Sequence, residues 1–423
     1  PYYFFMKRFL FIICAIYTLF SAEKTYSQFL LQGELRPRFE VFNGYKKLPE
    51  DLSSPILMIS QRSRMYINYE TSKIKSKISF QDVRFIGNDV VKTETSLFGL
   101  HEAWVRISLF DSLSIKVGMQ ELSYENKRLI DNGGWSQAGT SHNALVFSYL
   151  KKGLQLDFVS AFNASPDTAI ILKTPNSYRT LNILWLSKKL SNAFQISLMG
   201  ITDGYQKNNT TQTIYLRGTF GGIIRYKKDT KLTASLRGFY QTGRLQNGQE
   251  IAAYYHQADM NYVFNSKLNA TIGYEYISGT NGLDYANKKS NSFNLLYGSS
   301  HAFNGNLKYF SSLLKNKKNP GLINPYLHLF YKLQDKWQAR ADFHYFRMQN
   351  NYVVNTTAID KYLGIEADLS LKYDFYKEAS VMFGFSIMRP EKTMEPIVGG
   401  NSSYYGTWGF IMLTFKPTLF SQN

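Results

Sequence analysis

The feature that most constrains this chain is an alternation of apolar and polar residues, which is clearest over residues 31–41. The odd-numbered residues there are apolar or small, and the even-numbered ones are Gln, Glu or Arg. Because successive side chains of a strand point to opposite faces, one face is apolar and the other charged. The same alternation recurs at 62–69, 113–120, 337–345 and 363–372. The chain is therefore predicted to be rich in amphipathic β-strands.

The repeat length separates two kinds of β-protein. A strand of a soluble sandwich also alternates, but repetition at about 9 to 11 residues is typical of strands that cross a membrane. In such a barrel the charged face lines a wet lumen and the apolar face contacts lipid. We therefore expect the charged residues of 31–41 to point inward.

The connections alternate in length, as a barrel with short periplasmic turns and longer outer loops requires. Short turns are predicted at 71–73, 110–112, 151–153, 227–230, 264–267, 334–336 and 375–378, and loops at 43–58, 86–98, 123–141, 164–177, 204–211, 244–250, 280–320, 348–360 and 390–404. Nine loops and a similar number of turns predict an all-β, transmembrane antiparallel up-and-down β-barrel of about 18 strands.

One apolar stretch, residues 306–314, is ambiguous. Counting it as a strand would make the number odd and place the two termini on opposite sides of the membrane. We therefore assign it to the 280–320 loop. A loop of that length is normally functional, and we expect it to fold into the pore and narrow it.

The first 27 residues have the features of a secretory signal peptide. Lys7 and Arg8 precede an apolar run from Phe9 to Phe20, and Ser27 is a small residue at the expected cleavage site. Met6 is the expected true start. The only cysteine, Cys14, lies in the apolar run, so the mature chain is expected to contain no disulfide and no cysteine-held metal.

The remainder, residues 28–416, is expected to form a single barrel domain, followed by a short tail. Its last strand, predicted at 405–415, ends in Phe415, an aromatic ending that suits the barrel-assembly machinery. The first strand begins almost at the cleavage site. We therefore expect that no plug domain precedes the barrel. Transport is expected to be passive.

Composition limits the partners. Aromatic residues make up 16% of the chain, yet the mean hydropathy is −0.28 and no apolar stretch beyond the signal is long enough for a helical span. A membrane protein without helical spans must be a closed barrel. The formal charge of +18 indicates an anionic partner. An exported chain rarely meets nucleic acid, so we expect none. Acidic polysaccharide, an organic acid or lipopolysaccharide phosphate fits better, although loop lysines that face the outer leaflet also explain part of the charge.

Four stretches resemble the alginate export family of outer-membrane barrels. Residues 113–149 read LSIKVGMQELSYENKRLIDNGGWSQAGTSHNALVFSY, against a family pattern of roughly V-G-R-Q-x-L-x-Y-x-x-x-R-L-I-G…W…H-D-A. Residues 81–84 (QDVR), 274–279 (YEYISG) and 297–305 (YGSSHAFNG) are similar to a strand, a strand end and a loop of that family. The similarity follows the order of the mature chain over most of its length.

The resemblance implies an 18-stranded barrel in the outer membrane of a Gram-negative bacterium. Within the family, the chain resembles a Bacteroidota member. It also implies an arginine-rich constriction that passes a polyuronate in the alginate-secreting members, and a monomer. Three residues depart from the family pattern. Met119 stands where the family usually has an arginine, Asn143 where it has an aspartate, and Lys308 where an acidic residue is common. These changes leave the barrel intact and leave the substrate open.

Alternation identifies the candidate channel residues. The basic residues expected to face the lumen, and so to lie along the substrate path, are Arg36, Arg38, Arg62, Arg64, Lys75, Lys77, Arg106, Lys116 and Arg340. Arg84, Arg128 and His301 are expected at the rim or in loops. The arginine fork suits carboxylate or sulfate, and a positive ring selects anions. The alternative is that these cations pair with lumen acids such as Glu34, Glu40, Glu102, Asp342, Glu366 and Asp368 and brace the wall.

The predicted function is a passive channel for anionic solutes, with an acidic, alginate-like oligo- or polysaccharide as the expected substrate. A general porin for small organic acids and a surface scaffold or adhesin remain alternatives. A lipid hydrolase is disfavoured because Ser141 and His142, as sequence neighbours, point to opposite faces of a strand. We expect no catalytic residues, cofactor or metal. Trp104, Trp185, Trp337 and Trp408 near strand ends are expected to anchor the barrel at the membrane interfaces.

Overall fold

The structure, a computed structural model, describes residues 27–51, 54–86, 98–163, 177–208, 211–284, 289–299, 301, 303–314 and 319–422. The predicted signal peptide lies outside these residues except for Ser27. No helix in the described ranges is long and apolar enough to cross a membrane.

Eighteen antiparallel strands form one closed sheet, as predicted. They are β1 Gln28–Asn43, β2 Ile56–Glu70, β3 Ile74–Ile86, β4 Gly99–Phe110, β5 Leu113–Gln120, β6 His142–Lys151, β7 Leu154–Phe162, β8 Thr180–Lys189, β9 Phe194–Gln206, β10 Ile214–Lys228, β11 Leu232–Arg244, β12 Glu250–Val263, β13 Leu268–Ile277, β14 Leu322–Gln334, β15 Trp337–Arg347, β16 Tyr362–Tyr376, β17 Ala379–Pro390 and β18 Gly406–Phe415. Each strand pairs with its neighbours in sequence, as in an up-and-down barrel.

The barrel closes where β18 pairs with β1. Phe39 lies opposite Ile411 and Leu35 opposite Phe415. The ladder is interrupted at Pro417, which has no N–H to donate, and resumes where Thr418–Gln422 pairs with the start of β1. The stretch after residue 416 thus continues the closing strand, whereas the sequence suggested a simple tail.

The exposure along β1 is the reverse of that in a soluble strand. Leu35, Phe39 and Val41 are 40–48% exposed, whereas Glu34 and Arg36 are buried. The apolar side chains therefore face outward and the charged ones inward, which is the arrangement required when lipid is outside and the lumen is polar.

Residues 306–314 do not form a strand, in agreement with the prediction. They lie in the connection between β13 and β14 and contain one helical turn, α1 (Phe310–Leu313). The connection between β17 and β18 contains a short 3₁₀ turn, Lys392–Met394, followed by α2 (Glu395–Val398).

Two connections enter the lumen from the long-loop end. The first inner segment, residues 121–141, and the second inner segment, the described residues of 289–314, both contact side chains on the inner face of the wall. Their backbones also pair with each other: the Asp131 N–H donates to the Tyr297 carbonyl, and the Tyr297 N–H donates to Leu129. A buried apolar core that includes Ile130, Phe293 and Leu307 lies between the segments and the wall.

Three of the four tryptophans predicted as interface anchors are not anchors. Trp408 is buried and donates through Nε1 to Glu40 at 3.2 Å, while Trp104 and Trp185 donate to Glu102 and Glu125. Their indole N–H groups find carboxylates in the lumen, and hydrogen bonding at that site outweighs the interfacial preference. Trp337 lies on the lipid-facing alternation and stacks on Tyr373 at the short-turn end.

Candidate functional site

The predicted cluster of four arginines is present on adjacent strands. The arginine ladder is defined as Arg36 and Arg38 on β1 with Arg62 and Arg64 on β2. Arg36 lies directly opposite Arg62 in the register, and the four residues are 4–8% exposed. Like charges placed directly opposite each other destabilise a sheet, so the arrangement requires compensating partners.

Wall side chains supply some of these partners. Arg38 pairs with Glu40 at 2.9 Å, and Arg62 forms an ion pair with Glu34. Arg64 donates to Gln81 at 2.6 Å. Two of the ion pairs that the sequence offered as an alternative, with Glu34 and with Glu40, are therefore formed.

The first inner segment supplies the remaining partners through its backbone. Arg36 donates to the carbonyls of Gly134 at 2.8 Å and Ser136 at 2.7 Å. Longer contacts continue this pattern, from Arg38 to Trp135, from Arg62 to Ser136 and Gln137, and from Arg64 to Ala138. Five successive carbonyls thus face the ladder. Carbonyls are neutral acceptors, so they satisfy hydrogen bonds without cancelling positive charge.

A second basic group lies on β3, β4 and β5, nearer the short turns. Lys75 pairs with Glu70 and Lys77 with Glu102. Arg106 lies opposite Lys116 in the register, and the Lys116 ammonium lies 3.9 Å from the Trp104 ring centre. The buried Arg106 Nε has no hydrogen-bond acceptor among the described residues.

Arg128 holds the two inner segments to the wall. Its side chain is 1% exposed and forks onto Glu275 of β13 at 2.5 and 2.7 Å. It also donates to the Ser299 carbonyl and to Asn304 Oδ1, both at 2.6 Å. Sequence reasoning left open whether Arg128 reaches over the pore or anchors its loop, and the structure places it as an anchor.

A second stretch of the wall is acidic, and its carboxylates on β16, separated from β1 by β17 and β18, accept backbone N–H groups of the second inner segment. The carboxylate wall is defined as Glu275, Glu366 and Asp368. The Leu307 N–H donates to Glu366 Oε1 at 2.9 Å, and the Asn306 N–H to Asp368 Oδ2 at 3.3 Å. Gly305, with φ +74°, precedes these groups, and an added Cβ would collide with the Glu366 carboxylate.

His301 lies where the two segments meet. Its ring stacks on Trp135 with centroids 4.1 Å apart, and Trp135 also lies under the Arg38 guanidinium at 5.2 Å. Burial, assisted by the charges of Lys308, Arg38 and Arg340, lowers the pKa of His301 well below its ordinary value. The imidazole is therefore neutral at physiological pH.

The other predicted residues lie apart from the ladder. Arg340 on β15 is 43% exposed and pairs with Asp342 at 2.8 Å. Arg84, near the long-loop end of β3, pairs with Asp82. Neither residue reaches the carbonyls that the ladder holds in the described structure.

His101, Glu102 and Glu121 offer donor atoms that lie within 4.8 Å of one another, close enough for one metal ion. Both carboxylates already have cationic neighbours, Lys77 at Glu102 and Arg64 at Glu121. Burial would raise the pKa of Glu121, but hydrogen bonds from His101 and Asn132 outweigh it and lower the pKa to about 2. The local charge is thus compensated by the protein itself.

Sequence reasoning missed Trp135, Glu275 and the carbonyls of 134–138. Trp135 is the tryptophan of the motif quoted above, so a signal for it existed. Backbone carbonyls carry no residue-specific signal, and only the fold brings them to the ladder.

The comparisons with known proteins agree with this architecture. The profile of the alginate export family matches residues 28–406. OccK9 (OpdG) of Pseudomonas aeruginosa is 11% identical with a TM-score of 0.64, covering 92% of this chain and 98% of that chain. OccAB1 of Acinetobacter baumannii is 12% identical with a TM-score of 0.62, covering 93% and 97%. The outer membrane protein OpdK of Pseudomonas aeruginosa is 11% identical with a TM-score of 0.62, covering 94% and 99%. No curated protein matches the chain in sequence.

Proposed function

The chain belongs to the alginate export family, and on that premise we propose that its arginine ladder selects anionic solutes, with an acidic, alginate-like oligo- or polysaccharide as the substrate. The observation that carries the proposal is the line of four arginines facing five neutral carbonyls. It rests on this chain's own residues, beyond what the family name implies.

The location of the chain in the outer membrane and its role as a channel follow from the family and the fold together. The chain is an outer-membrane β-barrel of a Gram-negative bacterium, and it is a porin-like passive channel. Its family and its structural neighbours are transport channels rather than enzymes. Membrane lipid surrounds the barrel, and a single chain forms the channel.

The charge balance of the ladder supports anion selection. Four guanidinium groups face three carboxylates, Glu34 and Glu40 of the wall and the more distant Glu121 of the first inner segment, and the remaining hydrogen bonds go to uncharged groups. A carboxylate that replaced a carbonyl would gain a charge-assisted and often bidentate bond, which is roughly twice as strong as a neutral one. An anion therefore competes for the ladder better than a neutral sugar does.

The inner segments explain how selection and access are combined. Because residues 134–138 cover the ladder, a solute that binds it must displace them. We propose that the second inner segment narrows the path beside the first, through its contacts with Glu366 and Asp368 on β16. An extended polyanion presents carboxylates in series, as the displaced segment presents carbonyls.

A narrower substrate also fits one observation. The apolar core between the segments and the wall, which includes Phe293, Leu307 and Phe310, occupies part of the lumen. If the segments stay in place during transport, the remaining path favours small organic acids over a polymer. This is the second candidate function, and it uses the same basic residues.

The test is the reversal potential of the barrel in a planar bilayer across a salt gradient, with polyuronate and a neutral oligosaccharide as blockers. We expect anion selectivity and block by polyuronate alone. Arg62→Gln with Arg64→Gln should weaken both, because an ion about 8 Å from a unit charge in water gains about 0.5 kcal/mol, roughly a factor of two per charge.

The matched control is Lys152→Gln with Lys189→Gln, which removes two exposed charges at the short-turn end. It should leave selectivity unchanged. Block by a small organic acid without block by polyuronate would favour the second candidate. Cation selectivity, or the same selectivity after both arginines are removed, would refute the role of the ladder.

A further inference from the structure

The lipid-facing wall contains a groove that the channel function does not use. It lies on the outward face of β13–β17 in the half nearer the long loops and has a volume of about 650 Å³. Pro325 and Ala367 are the short outward side chains in it, and Phe343, Leu327 and Ile387 flank them. The lining is almost entirely apolar, so the groove fits hydrocarbon chains.

A second apolar depression lies on the same strands, nearer the short turns. Its volume is about 480 Å³, and its lining includes Ala339 and Ala341. Small residues thus recur at successive depths of this face. Together the two depressions offer a track for acyl chains.

The groove meets a polar pocket at the rim of the barrel. This pocket, of about 350 Å³, shares Arg389 and Tyr405 with the groove and adds Lys392, Ser402 and Ser403, together with one acid, Glu391. Its wall is fixed, because the Ser402 N–H and hydroxyl both donate to Glu395 at 3.0 and 2.7 Å. A single ligand can therefore occupy apolar and polar space at once.

The polar end carries positive charge on the outward face. Arg389 is exposed at the end of β17, where its neighbours in alternation, Phe383 and Phe385, face lipid. Arg347 is exposed at the corresponding end of β15. Neither arginine forms an ion pair with another residue in the part of the chain that the structure describes. Arginine forks bind phosphate well, and such groups are available at the outer leaflet.

We propose that this groove and pocket form a specific site for a phosphorylated, multi-acyl glycolipid of the outer leaflet. The acyl chains lie in the groove beside Ala367, and a phosphate contacts Arg389 and Lys392. A second copy of the chain would cover the apolar groove, but it would bring its own Arg389 and Lys392 to the rim. Charge complementarity therefore favours the lipid, and the site is independent of what the lumen transports.

The test uses the delipidated full-length barrel in detergent, with bisphosphorylated lipid A and its dephosphorylated form as probes. Native mass spectrometry measures the bound fraction. We expect the wild type to hold one phosphorylated molecule. Arg389→Gln with Lys392→Gln should weaken binding about thirtyfold, since each of the two cations near a membrane surface contributes about 1 kcal/mol to anion attraction.

Ala367→Trp, which fills the groove, should weaken both probes. The matched controls are Arg244→Gln, a rim arginine on β11, and Ala103→Trp, an alanine on the lipid-facing alternation of β4. Both should bind as the wild type does, and all variants should keep the wild-type reversal potential. Equal binding of the two probes, unchanged binding in the paired variant, or cross-linking of two chains through the groove would overturn the proposal.

Discussion

The arginine ladder and the carboxylate wall both bind peptide backbone, the first through its carbonyl groups and the second through its N–H groups. The ladder donates to the carbonyls of residues 134–138, whereas Glu366 and Asp368 accept from the N–H groups of Leu307 and Asn306. In both cases a charged wall fixes a neutral peptide. The two inner segments are therefore oriented by opposite charges on two parts of the wall that are separated by β17 and β18.

The two walls differ in the sign of the charge that ion pairs leave uncompensated. On the acidic side Glu275 is paired with Arg128, whereas Glu366 and Asp368 accept the N–H groups of Leu307 and Asn306. On the basic side Arg36 has no carboxylate partner among the described residues and donates to carbonyls and to Gln137. Positive charge thus remains at the ladder, which is why we assign anion selectivity to that wall.

The largest effect is expected from Arg128, which links both segments to Glu275. Arg128→Met would leave a buried carboxylate without a counterion, and breaking such a pair costs about 3–5 kcal/mol. We expect amide hydrogen exchange at 124–138 and 297–307 to accelerate together. That result would show that the two regions open as one unit.

The double variant Arg128→Met with Glu275→Gln removes both charges and should recover part of the protection. Exchange that accelerates in the first segment alone would separate the two regions. The control measurement is exchange in the strands far from the pair, which should not change.

The next effect concerns selectivity. Glu366→Gln with Asp368→Asn keeps side-chain oxygens for the two N–H groups and removes charge, so anion preference should rise. Arg62→Gln with Arg64→Gln should lower it, by roughly a factor of two per charge if the path is aqueous. Reversal potentials measure both. Shifts in the same direction would mean that only one wall faces the permeant ion.

The fold could be predicted from the sequence to a large extent, because alternation is a local signal. The apolar face of 31–41 could be assigned to lipid without any structure, and the loop lengths gave the strand number. The inner location of Trp185 and Trp408 could not be predicted, since their carboxylate partners come from a loop and from another strand. Trp104 is different, because its partner Glu102 lies two residues away on the same face of β4.

Only the part of the site that lies on the barrel strands could be predicted from the sequence. Adjacent strands had to place Arg36 beside Arg62, and the register confirms this. The loop half depends on contacts between residues about 100 positions apart, such as Arg36 with the Ser136 carbonyl. No pattern in one sequence announces such a contact, because the acceptor is backbone.

A smaller effect is expected at Trp135, where the first segment contacts both Arg38 and His301. Trp135→Leu removes a ring stack and a cation–π contact, together worth about 1–2 kcal/mol. Exchange at 134–138 should accelerate about tenfold, while 127–131, which pairs with the second segment, should stay protected. Trp337→Leu, on the lipid-facing side, is the control and should leave both stretches unchanged.

The smallest effect is expected from acidification, and it tests whether the contact between the two segments is a neutral one. Burial and the charges of Lys308, Arg38 and Arg340 lower the pKa of His301, so the open state binds a proton more readily than the closed one. The closed state, in which the two inner segments pack together at His301, should therefore be fully stable above the ordinary histidine pKa of about 6.5. Its stability should decrease as the pH falls below that value. Glu121, whose pKa is lowered to about 2, acts in the same direction only below about 4.5, where the unfolded carboxyl takes up a proton. Conductance measured at pH 7.5 and pH 5 should thus rise on acidification in the wild type and rise less in His301→Gln. An equal rise in both would assign the pH dependence to the carboxylate wall and leave the His301–Trp135 stack as packing alone.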